Sequence, residues 1–336
     1  MASRLESEAL RQWRDEREAT LRAMESIMGP LPPASRKVPL DVRILQEEET
    51  PKYLRRKVSF QTEADDPRGL CRIPAWLLIP HGLTGPAPAM LCLHQTTYAG
   101  KDQPAGLSTF KHDPPDLHYA HELSERGYVT LSPDYPMFGE ACPMAMAYGY
   151  ASGTMKGIWN HMCAADVLGS LPCVDSARLG VIGHSLGGHN ALFLAAFDER
   201  LRVAVSSCGF TSFRGMVAAD LSAWTQDRYM PRIATVCGND PARMPFDFSD
   251  ILRSLAPRPL LINAPLCDDF KVAGAKACLA AAVSAYAVFD AESNIVSEHP
   301  DAGHSFPSGT RLRFFDEIGR IFRHEKCRRH NAWPET

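Results

Sequence analysis

"GVIGHSLGGHN", Gly180–Asn190, sets one serine, Ser185, between Gly183 and Gly187. The apolar run "RLGVI" precedes it and the helical run "LGGHNALFLAAF" follows. With Gly at its usual ~7%, a GxSxG arises by chance in a chain this long on the order of one time in ten, so context must decide. A sharp strand-to-helix turn points the hydroxyl away from the sheet and needs small neighbours where backbones approach. The helix N-terminus beneath the oxygen favours developing negative charge. The bland alternative is a structural glycine turn, and a nucleophile would need partners.

A hydroxyl is a poor nucleophile at neutral pH, so a base must take its proton. Of twelve histidines, His304 is best placed, in the polar, Gly/Pro-rich loop "HPDAGHSFP". A carboxylate must fix its tautomer. The apolar strand of "RPLLINAPLCDDF" is followed by Asp268 and Asp269. Asp268 is favoured, with Asp269 in reserve. The oxyanion needs preorganised donors. One is the amide of Leu186, directly after the serine. The other is expected from the loop "HQTTYAG", first the Thr96 amide and then Gln95, with His94 bracing that loop.

Working outward, short continuous apolar runs fit strands buried on both faces of a parallel sheet. These are Arg56–Phe60, Ala75–Ile79, Met90–His94, Tyr128–Ser132, Leu179–Ile182, Val203–Ser207, Leu260–Asn263 and Ala287–Phe289. Helices are expected over Asp116–Arg126, Met155–Leu171, Leu186–Phe197, Phe248–Leu255, Val272–Tyr286 and Thr310–His324. The first two strands follow each other without a helix and predict an antiparallel start. The alternation predicts an open α/β sheet, mostly parallel and flanked by helices. A charged amphipathic helix over Ser3–Met28, stopped by "GPLPP", makes residues 1–33 a helical arm, packed on the main domain or available for dimerisation. Residues 34–336 form the catalytic domain.

Two long connections, Gln95–Pro115 and Gly209–Asp247, follow strand ends and are expected to wall a pocket, the second as a lid-like insertion. Candidate pocket residues are Tyr135, Phe138 and Glu140 in "PDYPMFGE", and Trp224, Tyr229 and Met230 near "RYMPR", with Arg228 or Arg232 as an anionic contact. His184 and His189 are five apart and lack the glutamate of HExxH, so no metal role is expected. Trp159 and His161, on a helix, read as core.

The 336 residues carry 45% hydrophobic and 22% charged side chains and a net charge of −3, ordinary for a globular chain. No basic stripe suggests nucleic acid, and no apolar stretch reaches membrane-span length. The N-terminus is too charged for a signal peptide. Ten cysteines are scattered without a CxxC pair, which reads as reduced and cytoplasmic. The expected partner is a small-molecule ester, without cofactor, nucleic acid or membrane. Homo-oligomerisation through the arm is left open.

The set "CLHQTTYAGK", "ERGYVTLSPDYPMFGE", "GVIGHSLGGHNALF", "APRPLLINAPLCDDF" and "DAGHSFP" resembles the α/β-hydrolase superfamily. More narrowly it resembles the dienelactone hydrolase-like and acetyl-xylan-esterase-like branch, over about Val58 to Phe322. The chain order Ser, Asp, His is that of α/β-hydrolase triads. The resemblance implies serine ester hydrolysis through an acyl-enzyme, without metal or organic cofactor, with Ser185 as nucleophile, His304 as base and Asp268 as acid. It departs from dienelactone hydrolases proper, which carry a cysteine nucleophile, and "QTT" stands where many relatives have a glycine-rich stretch. Two rivals remain: a serine peptidase of the prolyl-oligopeptidase kind, and a non-catalytic binding scaffold. Only about 90 residues precede His94, too few for a propeller of four ~40-residue blades, and the intact Ser/Asp/His set argues against the scaffold.

Overall fold

The structure, a computed structural model, describes residues 8–64, 72–108, 115–141, 149–214 and 220–328. Its nine strands form one sheet in the order β1-β2-β3-β5-β4-β6-β7-β8-β9. β1 (Arg43–Glu49), β2 (Tyr53–Gln61) and β3 (Arg72–Pro80) run antiparallel. β3 also lies antiparallel to β5 (Val129–Pro133). From there β4 (Ala87–Leu93), β6 (Val174–His184), β7 (Leu201–Ser207), β8 (Leu260–Asn263) and β9 (Ile295–Glu298) are parallel.

Helices cover this sheet: α1 (Glu8–Met28), α2 (Tyr119–Glu125), α3 (Gly153–Ser170), α4 (Leu186–Phe197), α5 (Phe248–Ser254), α6 (Val272–Ala287) and α7 (Ser308–Arg328). The antiparallel start and the parallel remainder match the sequence reading.

Two strands depart from it. Ala287–Phe289 is no strand. Ala287 closes α6, Val288 caps it, and Phe289 packs edge-on to Trp13. An apolar triplet at a helix end has the same pattern as a short buried strand; the strand comes later, as β9. β1 was not expected at all, because every residue of "RILQEEE" is exposed on the sheet edge. Charged side chains are a common way to blunt such an edge.

The arm is docked. Met24, Ile27 and Met28 of α1 are fully buried, each side chain contributing on the order of 1.5–3 kcal/mol. The Trp13 indole N–H donates to the Arg253 carbonyl. Residues 1–7, where the helix was expected to begin, lie outside the described residues. The insertion after β7 is also packed: Phe210, Phe213, Leu221, Trp224, Met230, Ile233 and Phe246 all belong to the main core.

Register builds the rim on which the site stands. Leu93 pairs with Gly183, His184 with Ser207, Ser207 with Asn263, and Asn263 with Glu298. The carboxyl ends of β4, β6, β7, β8 and β9 therefore finish in one row. The loops that leave them carry Gln95 and Thr96, Ser185, Cys208, Asp268 and His304. In open α/β sheets this is the edge where ligands sit.

Candidate active site

Ser185 stands between β6 and α4 at φ 53°, ψ −117°. Such a backbone costs about 1–3 kcal/mol and persists only where the surroundings fix it. Here its N–H donates to the Ser207 carbonyl at 2.8 Å, and its carbonyl accepts from the His189 amide. Glycines make the turn sterically feasible. A Cβ on Gly183 would lie 2.1 Å from the Gly187 carbonyl oxygen, and one on Gly187 would lie 1.9 Å from that of Leu93. The second contact presses the start of α4 against the end of β4.

That contact brings the Leu186 amide toward the loop after β4. As the first residue of α4, Leu186 has an N–H with no intrahelical acceptor. Among the described residues, no hydrogen bond occupies the amides of Leu186, Gln95 or Thr96. His94 braces the loop as expected. Its Nδ1 bonds the Gln95 carbonyl at 2.6 Å, and its Nε2 accepts from the Tyr135 amide at 2.9 Å. Burial lowers its pKa against the pull of Asp134, so the ring is neutral and its tautomer set by these two partners.

Below the loop lies a charge cluster that sequence reading missed, with Lys101 and Asp134 buried and Glu140 exposed at its edge. Lys101 Nζ lies 2.8 Å from Glu140 and 3.3 Å from Asp134. Asp134 accepts from the Lys101 and Glu140 amides. Glu140, read from sequence as a pocket residue, is instead tied down here, with Lys57 as a second partner. The signal was weak: a lysine in "AGKD" and an aspartate in "SPDYP" become a pair only once β4 and β5 are neighbours.

Across the rim, His304 Nδ1 lies 2.8 Å from Asp268 Oδ1. This geometry selects Asp268 over Asp269. Burial would raise the Asp268 carboxyl, but hydrogen bonding to His304 and the Cys208 thiol, with the Phe270 amide, outweighs it and holds the pKa below the usual value. The His304 ring packs edge-on to His184, the residue before Ser185, at 4.9 Å between centroids. His304 Nε2 and the Ser185 hydroxyl make no hydrogen bond among the described residues. Catalytic contacts are commonly longer in unliganded enzymes and tighten when substrate binds.

His184 is a neighbour that sequence reasoning had little ground to choose. Burial, with His304 beside it, lowers its pKa to about 3, so it stays neutral. Its Nδ1 bonds Ser207 Oγ at 2.9 Å. Asn263 donates to the same oxygen and to the Ser305 carbonyl, tying the His304 loop to β7 and β8.

Ligand atoms of His184, Cys208 and His304 lie within 4.8 Å of one another. They form the one group among the described residues that could approach a metal ion. His304 is already committed to Asp268, and burial next to that carboxylate pushes the Cys208 thiol pKa well up. Both facts favour a base over a metal ligand set. His189 instead packs on Trp224 and Phe193.

The pocket candidates divide. Met230 is fully buried in the core and lines nothing accessible. It was misread because an exposed-looking "RYMPR" loop folds inward at its methionine. Trp224 is 6% exposed and sits among Phe213, Phe248 and Phe270; Phe270 in turn meets His304 edge-on. Tyr135, Phe138, Leu186 and Tyr229 form their own cluster beside the serine, and Tyr229 Oη lies 3.0 Å from Thr96 Oγ1. Trp159 and His161 are buried, as read.

A sequence model described as glucuronyl esterase of fungi matches residues 69–291, well over half of the chain. YtaP of Bacillus subtilis, a hydrolase by name, is 27% identical over 246 residues, covering 70% of this chain and 76% of its own. Among solved structures, a glucuronoyl esterase from Solibacter usitatus superposes with TM-score 0.71 at 18% identity, covering 93% of this chain and 94% of that one. Acetyl xylan esterase 1 from Thermoanaerobacterium gives 0.57 at 16%, covering 92% and 94%. At such identities the superpositions speak for the α/β-hydrolase fold alone. The match across residues 69–291 goes further: the chain belongs to the glucuronyl esterase family and is a carboxylic ester hydrolase.

Proposed function

We propose that the protein hydrolyses esters by a Ser-His-Asp mechanism through an acyl-enzyme. His304 Nε2 takes the proton of Ser185, whose Oγ adds to the ester carbonyl. The amides of Leu186 and Thr96, with Gln95 adjacent, hold the oxyanion. His304 returns the proton to the leaving alcohol as the tetrahedral adduct collapses. A water, deprotonated by the same imidazole, then releases the acid. Asp268 holds the tautomer that keeps Nε2 free and stabilises the imidazolium.

The observation that carries this reading is the 2.8 Å bond from His304 Nδ1 to Asp268, in a ring packed against the residue preceding the strained Ser185. We infer a carbohydrate ester as substrate, a uronoyl ester or an acetylated sugar, because the family and the solved relatives are named for these. The test is a panel of glucuronate benzyl ester, acetylated xylose and 4-nitrophenyl acetate with wild type and Ser185→Ala. Serine-dependent turnover with a preference for the sugar esters supports the proposal. Equal activity of the two proteins removes it.

A further inference from the structure

Arg228 does not take part in this mechanism, yet it is held beside it. Its guanidinium lies over two rings, 5.3 Å from the Phe138 centroid and 5.5 Å from that of Tyr229. Both rings belong to the cluster that packs on Leu186, and Tyr229 reaches Thr96 of the oxyanion loop. The Nε of Arg228 is taken by Gln226 Oε1 at 2.7 Å, which fixes the plane of the fork. Among the described residues its two terminal nitrogens have no hydrogen-bond partner and the group has no carboxylate partner, Asp227 included.

The backbone beneath is pinned as well. The Tyr135 hydroxyl donates to the Arg228 carbonyl at 2.8 Å. The Gly153 and Thr154 amides, at the start of α3, donate to the carbonyls of Asp227 and Tyr229. Gly153 has no room for a side chain, since a Cβ there would lie 2.4 Å from the Arg228 oxygen. A partly exposed guanidinium, planar, stacked and, among the described residues, with no partner on either terminal nitrogen, is preorganised for bidentate binding of a carboxylate.

We propose that Arg228 is a specificity-determining residue that binds a free carboxylate on the ester substrate, so that anionic esters are preferred to neutral ones. This rests on the esterase reading and narrows its substrate: an acetylated sugar that also carries a free uronate fits, whereas a uronoyl ester, its carboxyl already esterified, does not. The hydrolysis itself is unchanged: the carboxylate is held, and no bond to it forms or breaks.

The test compares kcat/KM for esters matched in shape. 4-Nitrophenyl hydrogen adipate is set against 4-nitrophenyl hexanoate, placing the charge on the acyl side. 4-Acetoxybenzoate is set against its methyl ester, placing it on the alcohol side. Wild type should prefer the anion in at least one pair. Arg228→Gln should lower kcat/KM for that anionic ester roughly 10–100-fold, the range of a lost charge-assisted bond, and leave its neutral mate within about three-fold. Arg228→Lys, which keeps the charge without the fork, should fall between. A wild type that prefers the neutral esters in both pairs, or an Arg228→Gln that slows charged and neutral esters alike, overturns the proposal.

If wild type hydrolyses none of the four nor any of the sugar esters, the esterase reading has failed on its own account; if it refuses only the four, that reading stands. The subsite is then judged by binding. Monomethyl adipate, which keeps one free carboxylate, should raise the melting temperature of Ser185→Ala more than methyl hexanoate does, and the added Arg228→Gln should abolish the difference. Its persistence in the double variant sinks the subsite.

Discussion

Two polar clusters stand near the loop that leaves β4, and they are built to opposite rules. Under the loop, Lys101, Asp134 and Glu140 close on one another. Lys101 is 1% and Asp134 0% exposed, and both carboxylate oxygens of Asp134 accept backbone amides. Across the rim, the Asp268, His304 and His184 group is left open. Among the described residues, Asp268 Oδ2, His184 Nε2 and Asn263 Oδ1 are buried without a hydrogen bond, and His304 Nε2 has no hydrogen-bond partner. A cluster that holds a shape gains from complete pairing. A cluster proposed to move a proton needs atoms left unpaired, at a cost in stability.

The open cluster should give the largest effect on rate. Asp268→Asn leaves the shape but offers His304 the wrong tautomer, and kcat should fall about 10³–10⁴-fold, as for a triad acid generally. Asp269→Asn should stay within about three-fold. Steady-state kinetics on one activated ester decide it, and equal effects at the two positions would remove the distinction drawn here.

The contrast also explains what the sequence could disclose. The elbow was legible because its glycines are a local steric need: Gly183 and Gly187 have no space for a Cβ. His304 and Asp268 were legible because each hangs on a loop whose place follows from an apolar strand or a final helix. The closed cluster was not legible. Lys101 and Asp134 are 33 positions apart, and only the β4–β5 pairing makes them neighbours. Met230 failed for a related reason, since a loop's burial depends on what packs over it and not on its own pattern. Ala287–Phe289 failed because three residues carry no usable period.

The closed cluster should give the largest effect on stability. Lys101→Met strands Asp134 without its cation, and such losses run to about 3–5 kcal/mol. Adding Asp134→Asn should restore part of that, because the unpaired charge is then gone. Urea unfolding of the two variants is the measurement. A double variant less stable than Lys101→Met would mean that the carboxylate is held by its amides and not by the lysine.

A slower loss comes from neutral histidines. Burial lowers the pKa values of His161, His184 and His189 from the ordinary 6.5 to about 3. The unfolded chain therefore takes up protons that the native state refuses. Stability is fully present above pH 6.5 and falls as pH drops toward 3, by up to about 1.4 kcal/mol per pH unit for each histidine. Urea midpoints across that window should show the slope, and His161→Phe should flatten it by one proton's share. An unchanged slope would assign the acid loss to other groups.

The smallest effect tests what the loop after β4 contributes to the proposed mechanism. Thr96→Val keeps the backbone amide and removes the hydroxyl 3.0 Å from Tyr229. If the amide is the donor, the variant loses one neutral bond, and kcat should fall roughly two- to five-fold. If the hydroxyl itself held the oxyanion, the loss should approach the 10²–10³ typical of a missing donor. Tyr229→Phe cuts the same bond from the far side. Matched small losses in both variants would mean that the bond only steadies the loop, leaving stabilisation of charge to the main chain that His94 and the Lys101 cluster hold in place.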